Sequence, residues 1–196
     1  MALAATHDDW LLGFQDETWW SRLSRPGMAG WSARGQPPRL VEGAVAPGEP
    51  KALACYGLWL PEQEQTWLRF VAGRPISVIT IQYLTWCAEQ AAQMPGITRL
   101  VWFWDNASWH TSRLVRDAVR THNQQVQRSG HGVLLVPCLL PTKSPWLNPI
   151  EPQWLHAKRR IVEPDRVLSL TEIEERVCQT LECPHHAPLS LTNDVH

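Results

Sequence analysis

The chain lacks an excess of positive charge: 18 lysines and arginines stand against 19 aspartates and glutamates, for a formal net charge of -1. A protein that grips nucleic acid unaided draws most of its non-specific affinity from neutralising phosphates. Either the partner is not a nucleic acid, then, or another segment or subunit supplies the grip. Cysteine is scarce and odd in number, with five residues (55, 87, 138, 178, 183) and no C-x-x-C pair. That argues against a disulfide framework and for buried free thiols in a reducing compartment. The spacing of Cys178, Cys183, His185 and His186 fits no common structural zinc site. No apolar run approaches the roughly 18 residues of a membrane span. Residues 1–5, soon followed by Asp8 and Asp9, are too short for a signal peptide. A soluble, cytoplasmic protein with no membrane partner is therefore expected. Internal repeats, low-complexity segments, G-x-S-x-G, the P-loop and G-x-G-x-x-G are also missing, which removes the commonest serine-hydrolase and nucleotide-binding readings.

What remains is ample for one folded domain. At 196 residues and 44% hydrophobic, the chain is long enough to bury about 70% of its unfolded surface. Many of its 12 tryptophans flank strand-like runs, where large rings supply burial and rigidity. The runs Trp10–Gln15, Lys51–Leu60, Thr66–Val71, Leu100–Trp104 and Gly132–Leu140 read as strands, the last two as strands buried on both faces. Residues 77–94 and 112–126 carry apolar side chains at helical spacing. Asn148-Pro149-Ile150-Glu151 reads as a helix start, with Asn148 as N-cap, and the helix should run to about Val162. Ser169-Leu170-Thr171-Glu172 is a capping box opening a last helix. Prolines and glycines crowd residues 24–50, a long loop of the kind that is often functional. The order predicts an α/β fold, a mixed sheet flanked by helices, over residues 1–183, with a disordered tail at 184–196.

Two stretches carry the chemistry. Val101-Trp102-Phe103-Trp104-Asp105-Asn106 delivers an aspartate to the tip of a buried strand. Ser144-Pro145-Trp146-Leu147-Asn148-Pro149-Ile150-Glu151 hands a glutamate to the first turn of a helix, where the helix dipole favours negative charge. Asp16 closes the first strand-like run. Taken singly, each acid has a bland reading as turn former, capping residue or solvated strand end. Taken together, three carboxylates at the ends of separate elements suit Mg²⁺ or Mn²⁺, which prefer hard oxygen ligands. A pair of such ions roughly 3.5–4 Å apart serves phosphodiester cleavage by activating the attacking oxygen and stabilising the leaving one.

Asp16-Glu17, Asp105-Asn106-Ala107-Ser108-Trp109-His110, and Leu140-Pro141 leading into residues 144–151 with Trp154 and Lys158 behind them resemble insertion-sequence transposases of the IS630 type, within the Tc1/mariner group of DDE transposases. The resemblance spans about Leu11 to Val162. It implies a ribonuclease-H-like core and cleavage and strand transfer of double-stranded DNA at element ends and target, dependent on Mg²⁺ or Mn²⁺, with two ions. Carried over by position, Asp16, Asp105 and Glu151 are the catalytic, metal-holding acids. His110 matches a histidine that orients substrate or a water, with a polar cap before Thr111-Ser112 as its bland alternative. Lys143, Lys158 and Arg159 are candidates for backbone phosphate contact; Lys158, seven positions after Glu151 on the same helix face, is the better placed. Members of the group carry an N-terminal helix-turn-helix region that this sequence does not show. That implies a separate helix-turn-helix subunit or reading frame, and the family also implies a homodimer. The rival reading is an inactive remnant or accessory protein that binds DNA or a transposase partner without catalysis.

Overall fold

The computed structural model describes residues 7–22, 45–142, 144–161 and 166–191. Most of the loop expected at 24–50 therefore lies outside the described residues, as does Lys143. The apolar runs become strands β1 (Trp10–Ser21), β2 (Ala52–Leu60) and β3 (Gln65–Val71), followed by helix α1 (Ser77–Ala92), β4 (Arg99–Trp104), α2 (Arg113–Ser129), β5 (Leu134–Leu139), α3 (Glu151–Ile161) and α4 (Leu170–Thr180). The strands form one sheet in the order β3-β2-β1-β4-β5. β1 pairs antiparallel with β2, and β2 with β3, whereas β1–β4 and β4–β5 are parallel. This is the expected mixed sheet of the α/β class.

Period-two alternation sends successive side chains of a strand to opposite faces. In β2, Ala54, Tyr56, Leu58 and Leu60 join a core shared with α1 and α2, while Leu53 and Cys55 join a second core under α3 and α4. Helices α2 and α4 open with the side-chain caps that their sequences dictate. The Ser112 hydroxyl accepts from the Val115 amide at the start of α2, and Gly130 closes that helix with φ 68°, a left-handed conformation that costs glycine nothing. The capping box at Ser169 and Glu172 forms in full at the start of α4. Four of the five free cysteines are buried, and Cys138 is half-buried. Among the described residues no helix is long and apolar enough to cross a membrane.

Two expectations are corrected. β1 does not stop at Asp16 but continues to Ser21, because Thr18-Trp19-Trp20 goes on pairing with β2 after β4 has ended. The chain from Pro184 onward does not leave the domain at once. Leu189, 4% exposed, lies against β3, taking a bond from the Ala72 amide (2.8 Å) and giving one to the Phe70 carbonyl (2.7 Å). β3 is an edge strand, and the returning segment satisfies backbone groups that would otherwise face water.

Candidate active site

The parallel ladder between β1 and β4 ends at Phe14 and Phe103, whose rings stack with centroids 5.0 Å apart. Two residues further along β1 is Asp16; two beyond Phe103, just past β4, is Asp105. Both acids therefore emerge at the same end of the sheet. Glu151, in the first turn of α3, joins them: all three line one cavity of about 300 Å³, with Asn106, Ser144 and Asn148 among its other walls. The acids that sequence places far apart are thus brought together.

Each acid has its own anchor. Asp16 Oδ2 accepts a bond from the buried Trp154 indole N–H at 3.0 Å. That indole lies over Gly57, the β2 partner of Asp16. A Cβ at Gly57 would stand 2.3 Å from the end of the Trp154 ring, so only glycine admits it. Asp105 Oδ1 accepts from the Ala107 amide (2.9 Å) and from His110 Nδ1 (2.8 Å). Asn106 ties the two strand exits together by donating to the Leu140 carbonyl at 2.6 Å.

Electrostatics separates the two aspartates. Burial, then the neighbouring charges of Glu17 and Glu151, push the Asp16 carboxyl up to about 7. The hydrogen bond from His110 holds Asp105 below the usual carboxylate range despite partial burial. Among the described residues no lysine or arginine pairs with Asp16, Asp105 or Glu151. An all-oxygen set of acids, one of them raised by burial and by like charges, has the donor chemistry that Mg²⁺ or Mn²⁺ needs. Among the described residues no group of three or more His, Cys, Asp or Glu side chains stands close enough to hold a metal ion as it is.

His110 is not where the sequence reading put it. Its ring is buried, 2% exposed, stacks on Trp104 (4.6 Å between centroids, 9° between planes) and stands behind Asp105 rather than in the cavity. Nε2 meets Glu17 Oε1 at 2.7 Å. Both ring nitrogens face carboxylates, which accept, so the ring carries both protons. Burial alone would discharge it, but the bonds to Asp105 and Glu17 raise its pKa to about 9. In this structure His110 meets Asp105 and Glu17 and does not line the cavity. Glu17 stands in the sequence motif beside Asp16 with no role of its own there; its place opposite His110 emerges only in the fold.

Asn148 is also reassigned. It does not cap α3: its side-chain amide donates to the Gln15 carbonyl of β1 at 3.0 Å, and its Oδ1 is buried without a partner among the described residues. It pins the approach to α3 onto the strand that bears Asp16. Lys158 does not reach the cavity. Two turns of helix from Glu151 carry it about 10 Å along the axis, and its ammonium lies over the Trp20 ring at 5.9 Å. Arg159 is exposed on α3 and does not line the cavity. Lys143 lies outside the described residues, between the cavity-lining Thr142 and Ser144. Between the cavity-lining Pro145 and Asn148, Trp146 is 76% exposed and Leu147 46%.

The family model described as DDE superfamily endonuclease matches residues 12–174. Solved structures share the fold: the Mos1 transposase paired-end complex with left transposon end (TM-score 0.64, 16% identity, covering 90% of this chain and 48% of that one), the Mos1 mariner paired end complex with Mn (0.63, 17%, 90% and 48%) and the Mos1 strand transfer complex (0.60, 18%, 90% and 48%). The architecture is that of the ribonuclease-H-like core. The chain spans about half the length of these structures. No curated protein matches it.

Proposed function

The chain belongs to the DDE superfamily of endonucleases, and from that membership we propose that it is the catalytic domain of a Tc1/mariner-type transposase, cutting DNA at element ends and joining the freed 3′ end to a target. The observation that carries this reading is the convergence of Asp16, Asp105 and Glu151 on one cavity at the end of the sheet. These three acids would hold Mg²⁺ or Mn²⁺, most simply as a pair of ions. When bound, such ions supply activation of the attacking oxygen and neutralisation of charge on the phosphoryl group.

The protein's own residues do the rest. Asp16 gives up its proton near neutral pH, and its carboxylate is aimed by Trp154. Asp105 is held ionised and fixed by His110. Glu151 enters from the first turn of α3. The exposed Trp146 and Leu147 lie in the chain between the cavity-lining Pro145 and Asn148, and an exposed indole there suits a nucleobase next to the phosphodiester being cut. Trp154, which sequence reading treated only as part of the motif, orients Asp16.

With a net charge of -1, the chain brings little general attraction for phosphate. We therefore assign the grip on element ends to a separate helix-turn-helix segment or subunit and to pairing of two copies, with the reaction taking place in the cytoplasm. The test is nicking of duplex carrying the element's ends by the full chain in Mg²⁺ or Mn²⁺, beside Asp105→Ala. Metal-dependent nicks, reduced at least a hundredfold by the substitution, are expected. Nicking that persists unchanged in Asp105→Ala would contradict the mechanism, and tight DNA binding without any nicking would favour an accessory role.

A further inference from the structure

We propose that Glu17 is a positioning residue of this site, acting through His110 to fix the carboxylate of Asp105; the inference rests on Asp105 being a metal-holding acid. The pleat of β1 sends residues 16 and 17 to opposite faces of the sheet. Asp16 faces α3 and the cavity. Glu17 turns the other way, 8% exposed at its side chain, and reaches the ring of His110 at 2.7 Å. The other ring nitrogen of His110 holds Asp105 Oδ1 at 2.8 Å. One strand thus contributes an acid to the cavity and, from the next residue, a strut to a second acid.

The need for a strut is local. Asp105 is the first residue beyond β4, its side chain is 59% exposed, and it stands on a loop. The bond to His110 commits Oδ1 and leaves Oδ2 for the cavity. The His110 ring is braced by its neighbours: Trp104 stacks on one face, the Trp109 ring packs edge-on at 5.9 Å, and the Trp109 indole N–H donates to the same Glu17 oxygen at 3.3 Å. Stability alone is a poor reason to bury such a chain of charges, since well-packed apolar groups often serve as well. Groups that orient metal-holding side chains typically change metal affinity 10–100-fold when removed.

The test is Mn²⁺ binding to the full chain, followed by electron paramagnetic resonance, for wild type, Asp105→Ala, Glu17→Gln, His110→Ala and the Glu17→Gln/His110→Ala pair. His110→Asn, whose amide nitrogen falls near the position of Nδ1, serves as conservative rescue, and circular dichroism checks folding. Glu17→Gln and His110→Ala are each expected to weaken Mn²⁺ binding about tenfold. The double variant should be no weaker than the poorer single one, and His110→Asn, which restores a donor to Asp105 but not the contact with Glu17, should regain only part of the loss. Simple charge counting predicts the opposite for His110, because deleting a cation beside Asp105 would tighten binding. Affinity in His110→Ala equal to or above wild type, while Asp105→Ala loses it, would overturn the positioning role and leave the acid triad standing, as would single effects that add in full. Mn²⁺ binding that survives Asp105→Ala would remove the triad and this inference with it.

Discussion

Under the proposed function, Asp16 is the residue at which proton and cation would compete. Its carboxyl is raised from 3.8 to about 7 by burial and by the charges of Glu17 and Glu151. Between those two values the folded chain holds a proton that the unfolded chain has released, so this group's contribution to stability falls as pH rises through the window. Asp16→Asn keeps the bond from Trp154 and removes the charge. At pH 8, without metal, the variant is expected to be more stable than wild type by about 1–2 kcal/mol. At pH 4, where wild-type Asp16 is protonated in the folded state, the difference should nearly vanish. Urea unfolding at the two pH values checks this; equal stability at pH 8 would mean that Asp16 is not strained by its neighbours. At this scale much of the site was legible in the sequence, because Asp105 after an apolar run and Glu151 after Asn148-Pro149 are local patterns. What was not legible needed the sheet. Glu17 acquires a role only because β1 lies beside β4, and Asn148 gives up its capping role only because the Gln15 carbonyl, 133 positions away, lies within reach.

The elements were largely readable from periodicity, but how one element leans on another was not. α3 is seated on the sheet by Trp154, Ile150 and Ala157, and the seat exists because β2 carries glycine at position 57. The sequence Cys55-Tyr56-Gly57-Leu58 reads as an ordinary strand; that the gap admits an indole from α3 is a fact of tertiary packing. Gly57→Ala would force the Trp154 ring off β2 and its N–H away from Asp16. The expected cost is about 1–3 kcal/mol of stability, measured by denaturant unfolding, together with loss of most nicking activity. An unchanged midpoint would show that the ring moves freely. The same leaning explains the misplacement of Lys158. Its seven-residue spacing from Glu151 does put it on a shared helix face, but α3 runs away from the cavity and delivers the ammonium to Trp20. The continuation of β1 to Ser21 likewise followed from pairing with β2 alone, which no apolar run in β1 announces.

For the molecule as a whole, two cores on either side of one mixed sheet hold the strand ends at fixed distances, and the acids sit where β1 outlasts its parallel partner. This base permits an open cavity lined by three acids, one of which, Asp16, is raised by burial and by its acidic neighbours. The near-neutral net charge brings little long-range attraction to DNA, so under the proposed function the chain would supply the acids for the cut and leave the grip to another segment or subunit. The account depends on the cavity holding divalent ions, and a crystal of the full chain grown or soaked in Mn²⁺, with diffraction collected at the manganese absorption edge, tests this most directly. Anomalous density lying among Asp16, Asp105 and Glu151, and absent from crystals of Asp105→Ala, is the predicted result. A cavity without such density at saturating Mn²⁺, or density bound elsewhere with the three acids untouched, would contradict it.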